Sequence, residues 1–245
     1  LKTHHPAAFI AGVLTHDPGM YPKRLLLDEA RQMGVGIAPL DINKSSADYR
    51  VERTLDGDAI RIALSTVAGI SDKEITSIIA GQPYIDLADF YRRSGAATPV
   101  IENLIMTGAF DSIHTNQRDL LLHLRELSRE FKLVARGYQV SDAQIAFSVD
   151  YQQWQPTPTG LPPMTASDQV RHEIEVLGLD LSAHVVSFYL PMLRELGVTM
   201  SHDLLNTRSN TPVLVAGVKV STQTPPIRSG KRVAFVTVDD STGPV

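Results

Sequence analysis

Apolar residues recur along most of this chain at helical spacing, and glycines, prolines and polar clusters cut it into short pieces. Phe9, Ile10, Val13 and Leu14 share one face of a helix that starts at Pro6 and is broken by Asp17-Pro18-Gly19. Leu25, Leu26, Ala30 and Met33 mark a second helix, opened by Tyr21-Pro22 and ended by Gly34 just past its last turn. From residue 35 the period shortens. Val35–Ala38 reads as extended and Asp41–Ser46 as a polar turn. Residues 49–52 and 59–62 alternate like a hairpin around Leu55-Asp56-Gly57-Asp58. Helical spacing returns at 75–79 and 85–93. A longer helix follows from Asn116 to Lys132, with Leu120, Leu121, Leu124, Leu127 and Phe131 as its stripe. Residues 136–168 are rich in Pro, Gln and Thr and read as a linker. Ser167 then reads as the cap of a helix over Asp168–Leu177. A further helix spans Val186–Leu196 and ends at Gly197, and Ser201–Leu205 is a short helical turn. Two strands close the pattern, at 213–220 and 233–238.

The middle of the chain is the most organised part. Residues 57–113 read as two helical pairs, each folded back at a tight apolar-glycine turn. The first turn is Val67-Ala68-Gly69-Ile70-Ser71, with Ser71 and Glu74 spaced as a capping box. The second is Met106-Thr107-Gly108-Ala109-Phe110, with Asp111 available to cap the next segment. Such a helix-hairpin-helix turn places the unpaired N–H groups of a helix start beside a glycine that allows close approach. That arrangement binds an anion, of which a nucleic-acid phosphate is one. The contact positions a duplex without reading its sequence. Candidate contact residues are Val67, Gly69, Ile70, Ser71 and Lys73 at the first turn and Thr107 and Gly108 at the second. The alternative is a pair of ordinary helical hairpins with glycine C-caps.

Charge narrows this reading. Formal net charge is −4 over 245 residues, so no global basic field draws in nucleic acid or an anionic membrane. Residues 57–136 hold nine Lys/Arg against ten Asp/Glu, so any phosphate contact there is local. The chain has no cysteine, which removes disulfides and thiolate metal sites and fits a cytoplasmic location. No apolar run is long enough to span a bilayer. Asp41 and Asn43, and the adjacent His4 and His5, lack the spacing of a metal site. Arg92 and Arg93 are either phosphate contacts or solvated surface. No nucleophile–base pair and no phosphate loop stands out. The chain starts at Leu1 and stops at Val245, just after a strand, and is expected to be a piece of a longer protein.

The end of the chain carries a second candidate. The two strands flank a basic loop containing Arg228, Lys231 and Arg232, and Asp239-Asp240-Ser241-Thr242-Gly243 follows as an acidic turn. This is the pattern of an OB-fold opening, in which that loop contacts single strands. Gly217 is the expected site of a bulge or bend. A plain antiparallel hairpin is the alternative.

Six stretches, in order, carry a family resemblance: LKTHHPAAFIAGVL, DEARQMGVGIAPLDINKSS, RIALSTVAGIS, NLIMTGAFDSI, EIEVLGLDLSAH and GVKVSTQTPPIRSGKRVAFVTVDDSTG. Together they resemble the C-terminal part of bacterial DNA polymerase III alpha subunits, C-family polymerases. The QTPPIRSGKR loop and VDDSTG turn are most similar to the error-prone, damage-response branch. The resemblance implies an α+β architecture: the end of the fingers at 1–56, a tandem helix-hairpin-helix domain at 57–135, a linker and helical connector at 136–208, and the start of a truncated OB-fold at 209–245. It implies that the intact protein is a DNA-directed DNA polymerase whose palm carboxylates bind Mg. Nothing in this chain corresponds to the palm, so the expected role is holding duplex, primer-template and single-stranded DNA without catalysis. A protein-docking module for a sliding clamp or translesion accessory factors is the other reading. Replicative members carry a clamp-binding peptide in the linker. Here the equivalent place reads Gln144-Ile145-Ala146-Phe147, which lacks the paired bulky residues. The family usually has a proline after the histidine of EIEVLGLDLSAH, where this chain has Val185.

Overall fold

A computed structural model describes residues 1–17, 19, 21–135, 158–225 and 232–245. The chain is α+β and forms two compact units, Leu1–Leu179 and Asp180–Val245. In the first unit, α1 (Pro6–His16) and α2 (Lys23–Gln32) follow the predicted spans. Gly34 takes φ 75°, and the N–H groups of Gly34 and Val35 reach back to Arg31 and Ala30, so α2 ends in a Schellman motif. A three-stranded sheet follows in the order β1 (Gly36–Ala38), β3 (Gly57–Arg61), β2 (Arg50–Thr54), with β1 parallel and β2 antiparallel to β3. The ladder runs to Thr54↔Gly57, so the turn is only Leu55-Asp56. The boundary expected between residues 56 and 57 therefore falls in the turn of one hairpin.

Beyond the sheet, a single 3₁₀ turn (Leu64–Thr66) leads to α3 (Asp72–Gly81), α4 (Leu87–Ser94), α5 (Thr98–Met106) and α6 (Gln117–Ala135). The first member of the first expected helical pair is thus only this 3₁₀ turn, because residues 57–61 are committed to the sheet. Tyr84, Phe90 and Phe110 stack edge-on at 4.7 and 5.1 Å, and Phe90, Phe110, Ile60, Ile62, Leu64, Ile78 and Leu87 are fully buried. Asn43 is structural. Its carboxamide donates to the Tyr84 carbonyl at 2.9 Å and accepts the Tyr84 N–H at 2.7 Å, while Asp41 accepts the Asn43 N–H. The chain is described again from residue 158. Asp119 accepts both the N–H and the hydroxyl of Thr159, at 2.8 and 2.6 Å, which fixes the returning strand of chain on the first turn of α6. Next comes α7 (Ala166–Leu177), which starts one residue after Thr165, not at Ser167. Thr165 and Asp168 form a reciprocal capping box.

The second unit holds a 3₁₀ segment (Val185–Tyr189) running into the short α8 (Leu190–Glu195), a 3₁₀ turn (Ser201–Asn206), and β4 (Val218–Gln223) antiparallel to β5 (Phe235–Asp239). The expected helix over Val186–Leu196 is therefore part 3₁₀. The first strand starts at Val218, not residue 213. Gly217 lies so close to β5 that an added Cβ would collide with the Asp239 carbonyl oxygen, and the register shift falls between Lys219 and Ser221. Asp240 is buried in the acidic turn. It accepts hydrogen bonds from the Ser201 N–H and hydroxyl and from the Thr242 N–H and hydroxyl. No helix among the described residues is long and apolar enough to cross a membrane.

Candidate nucleic-acid interface

The Gly69 turn is built from the core outward. Val67 is buried at 2% exposure and anchors the turn, and the Val67 N–H and Ile70 N–H close it onto Leu64 and Val67 at 3.0 and 3.3 Å. Gly69 is exposed with φ +80°, and nothing lies within 4 Å of where its Cβ would be. The surface there is open, and the glycine is required by the backbone angle alone. Two residues on, Ser71 is the N-cap of α3. Its hydroxyl accepts the Glu74 N–H at 3.3 Å, and the Glu74 carboxylate accepts the Ser71 N–H at 2.9 Å. The other Glu74 oxygen accepts the Ala97 N–H at 2.8 Å, which joins the start of α3 to the α4–α5 connection. These donors, Ala97 first and then Ser71, hold the Glu74 carboxyl below its usual range. Its charge is thereby paired with the Ser71 and Ala97 N–H groups.

With Glu74 and the capping box engaged, the N–H groups of Gly69, Asp72 and Lys73 have no partner among the described residues. Those of Asp72 and Lys73 belong to the first turn of α3, where the helix dipole favours an anion, and Gly69 lies two residues before its cap. Lys73 is exposed and adds a cation; Ile70 is half-buried and Ser71 exposed. Asp72 is exposed in the same turn and opposes that attraction.

The second turn is different. Thr107 is 4% exposed, and Gly108 is buried with φ +76°. The Gly108 and Ala109 N–H groups bond back to Ile105 and Leu104, a Schellman end to α5. A Cβ on Gly108 would meet the Asp111 carboxylate at 2.8 Å and the Gln169 side chain of α7 at 3.3 Å. No helix starts at Asp111. The chain makes two further turns, and α6 begins at Gln117, whose side chain donates to Asp111. Thr107 and Gly108 therefore lie in the packed interior, away from the open face at Gly69.

Of the other candidates, Arg93 donates to both Asp89 oxygens and to the Gly81 and Pro83 carbonyls, and lies over the Tyr84 ring. It is a structural clamp. Arg92 donates to the Ala88 carbonyl at 3.3 Å. Arg232 is exposed just before β5, while Arg228, Lys231 and Gln144–Phe147 lie outside the described residues. Two contributors to the first turn were not legible in the sequence. Asn103 of α5 donates to the Ala68 carbonyl at 3.0 Å, and the Val176 carbonyl of α7 accepts the Ala68 N–H at 2.9 Å.

Residues 34–120, which contain the Gly69 turn, α3, α4, α5 and the Gly108 turn, match the family model described as a helix-hairpin-helix motif. Over 99% of its length the chain is 32% identical to an error-prone DNA polymerase of Bdellovibrio bacteriovorus and 33% identical to one of Symbiobacterium thermophilum. End to end, this chain is similar to error-prone DNA polymerases. A third such relative, from Corynebacterium diphtheriae, is 31% identical over the same share. The chain spans only 24%, 26% and 21% of these three error-prone polymerases. The stretch they share with this chain includes both units and is wider than the helix-hairpin-helix match.

Proposed function

We propose that this chain is the DNA-holding part of a longer error-prone DNA polymerase. The Gly69 turn would grip the backbone of duplex or primer-template DNA while the chemistry takes place elsewhere. One observation carries the reading: within a segment that matches a helix-hairpin-helix motif, the Gly69 turn is exposed and three N–H groups at and after it have no partner among the described residues. Contacts run through Val67, Gly69, Ile70, Ser71 and Lys73. Val67 acts from below, by anchoring the turn. The buried Gly108 turn supports the grip by packing. The β4–β5 connection, with Arg228, Lys231 and Arg232, contacts the single strand as the loop of an OB-fold does. Nucleotidyl transfer, and the Mg it uses, belongs to palm carboxylates of the longer protein.

The test is fluorescence anisotropy of the 245-residue chain with duplex, primer-template and single-stranded DNA over a salt series. Binding should ignore sequence. One to three neutralised phosphates give a slope of log K against log salt of about −1 to −3 for duplex. Gly69→Val should weaken duplex binding and leave single-strand binding in place. If a folded Gly69→Val chain binds duplex as the parent does, the turn is not the grip. A second reading, docking of a clamp or translesion factor, is favoured by the exposed apolar residues of the second unit, including Leu205, Leu214, Phe235 and Val236. It predicts no DNA binding even at low salt.

A further inference from the structure

The Gly69 turn is oriented by bonds its own hairpin does not supply. Both main-chain groups of exposed Ala68 are engaged by other helices. Its N–H goes to the Val176 carbonyl, one of the last carbonyls of α7 and so left without a partner inside that helix. Its C=O accepts from the Asn103 side chain of α5. The Ala68 carbonyl and the Gly69 N–H belong to one planar trans peptide, so they point in opposite directions. A donor that holds the carbonyl toward α5 therefore turns the Gly69 N–H away from α5. The same bond polarises the peptide and makes that N–H a stronger donor. Nothing lies within 4 Å of where a Cβ on Gly69 would be, so the open side of the turn gives it no such support.

We propose that Asn103 is a positioning residue for DNA binding. It touches no phosphate, but it aims the Gly69 N–H at one. This inference rests on the proposed function. The test uses Asn103→Leu, which keeps the size, leaves net charge unchanged and removes the donor. Asn103→Gln keeps a carboxamide on a longer stem. The loss of one hydrogen bond predicts a fall in duplex affinity of about threefold to tenfold for Asn103→Leu. The salt slope should be unchanged, because no charge is removed. The Ala68 amide, protected in the parent by Val176, should exchange faster, while the chain stays fully folded at the temperature of the binding assay. Asn103→Gln should bind more tightly than Asn103→Leu. A parent that binds duplex and an Asn103→Leu chain that binds equally well overturn the inference and leave the proposed function standing. A loss of affinity that merely tracks a lowered melting temperature overturns it too. A parent that binds no duplex overturns the proposed function, and the positioning role with it.

Discussion

Replacing each turn glycine by alanine separates backbone strain from packing. Gly69 and Gly108 have almost the same φ, +80° and +76°. An L-residue in that region costs about 1–2 kcal/mol. At Gly69 that is the whole cost, because the added methyl enters open space. At Gly108 the methyl would meet the Asp111 carboxylate at 2.8 Å, and that carboxylate is held by the Gln117 side chain at 2.9 Å. Moving it aside gives up a hydrogen bond worth about 0.5–1.5 kcal/mol, and Gln169 must also yield. The total for Gly108→Ala is about 1.5–3.5 kcal/mol before any cost of moving Gln169. Urea unfolding followed by helical circular dichroism would give both values, and anisotropy would give duplex binding for each folded chain. Gly69→Ala should be the milder change in stability and the harsher one for DNA. Gly108→Ala should be the reverse. Equal stability losses would refute the packing argument at Gly108. A larger loss of DNA binding in Gly108→Ala than in Gly69→Ala, with both chains folded, would refute the assignment of the grip to the first turn.

The same geometry sets other outcomes. Thr165→Ala should cost about 1 kcal/mol of stability by removing the cap of α7, while Ser167→Ala should cost nothing measurable in the same urea experiment. Ser71→Ala should cost a similar ~1 kcal/mol and also weaken duplex binding, because it loosens the start of α3. Glu74 has a depressed folded-state pKa, so its contribution is present above the unfolded value and lost as pH falls through the folded one. The stability difference between parent and Glu74→Gln should therefore hold at pH 7 and shrink in acid, below the ordinary glutamate range; a difference that grows in acid would refute it. Asp89 is likewise held low, chiefly by hydrogen bonds from Arg93, so Asp89→Asn should destabilise the parent at neutral pH and match it in strong acid.

Local chemistry was legible in the sequence where neighbours in sequence are neighbours in space. The Gly34 end of α2, the Ser71–Glu74 capping box and the stripe of α6 all depend on residues a turn or so apart, and all stand in the structure. The α7 cap is expected at Ser167 and stands at Thr165, although Thr165 and Asp168 have the capping-box spacing and Ser167 would need a partner at Val170. The differences are long-range. Both glycine turns have the same apolar-glycine pattern, and the distinction lies in what covers them, since Gln169 reaches Gly108 from far along the chain. The parallel pairing of β1 with β3, and the start of β4 at Val218, are likewise set by distant chain, the second by the approach of Asp239 to Gly217. At the expected OB opening the structure has one antiparallel pair, which a plain hairpin has too, and the candidate contact residues 228 and 231 lie outside the described chain.

The bond between Asp119 and Thr159 has a consequence for connectivity. Because that carboxylate holds the returning chain at the beginning of α6, α7 is tied to the hairpins by noncovalent contacts at 119, 68 and 108. A single proteolytic nick in that connection should thus leave two pieces that stay together. Separately expressed halves, split there, should find each other and rebuild the Gly69 turn by fragment complementation.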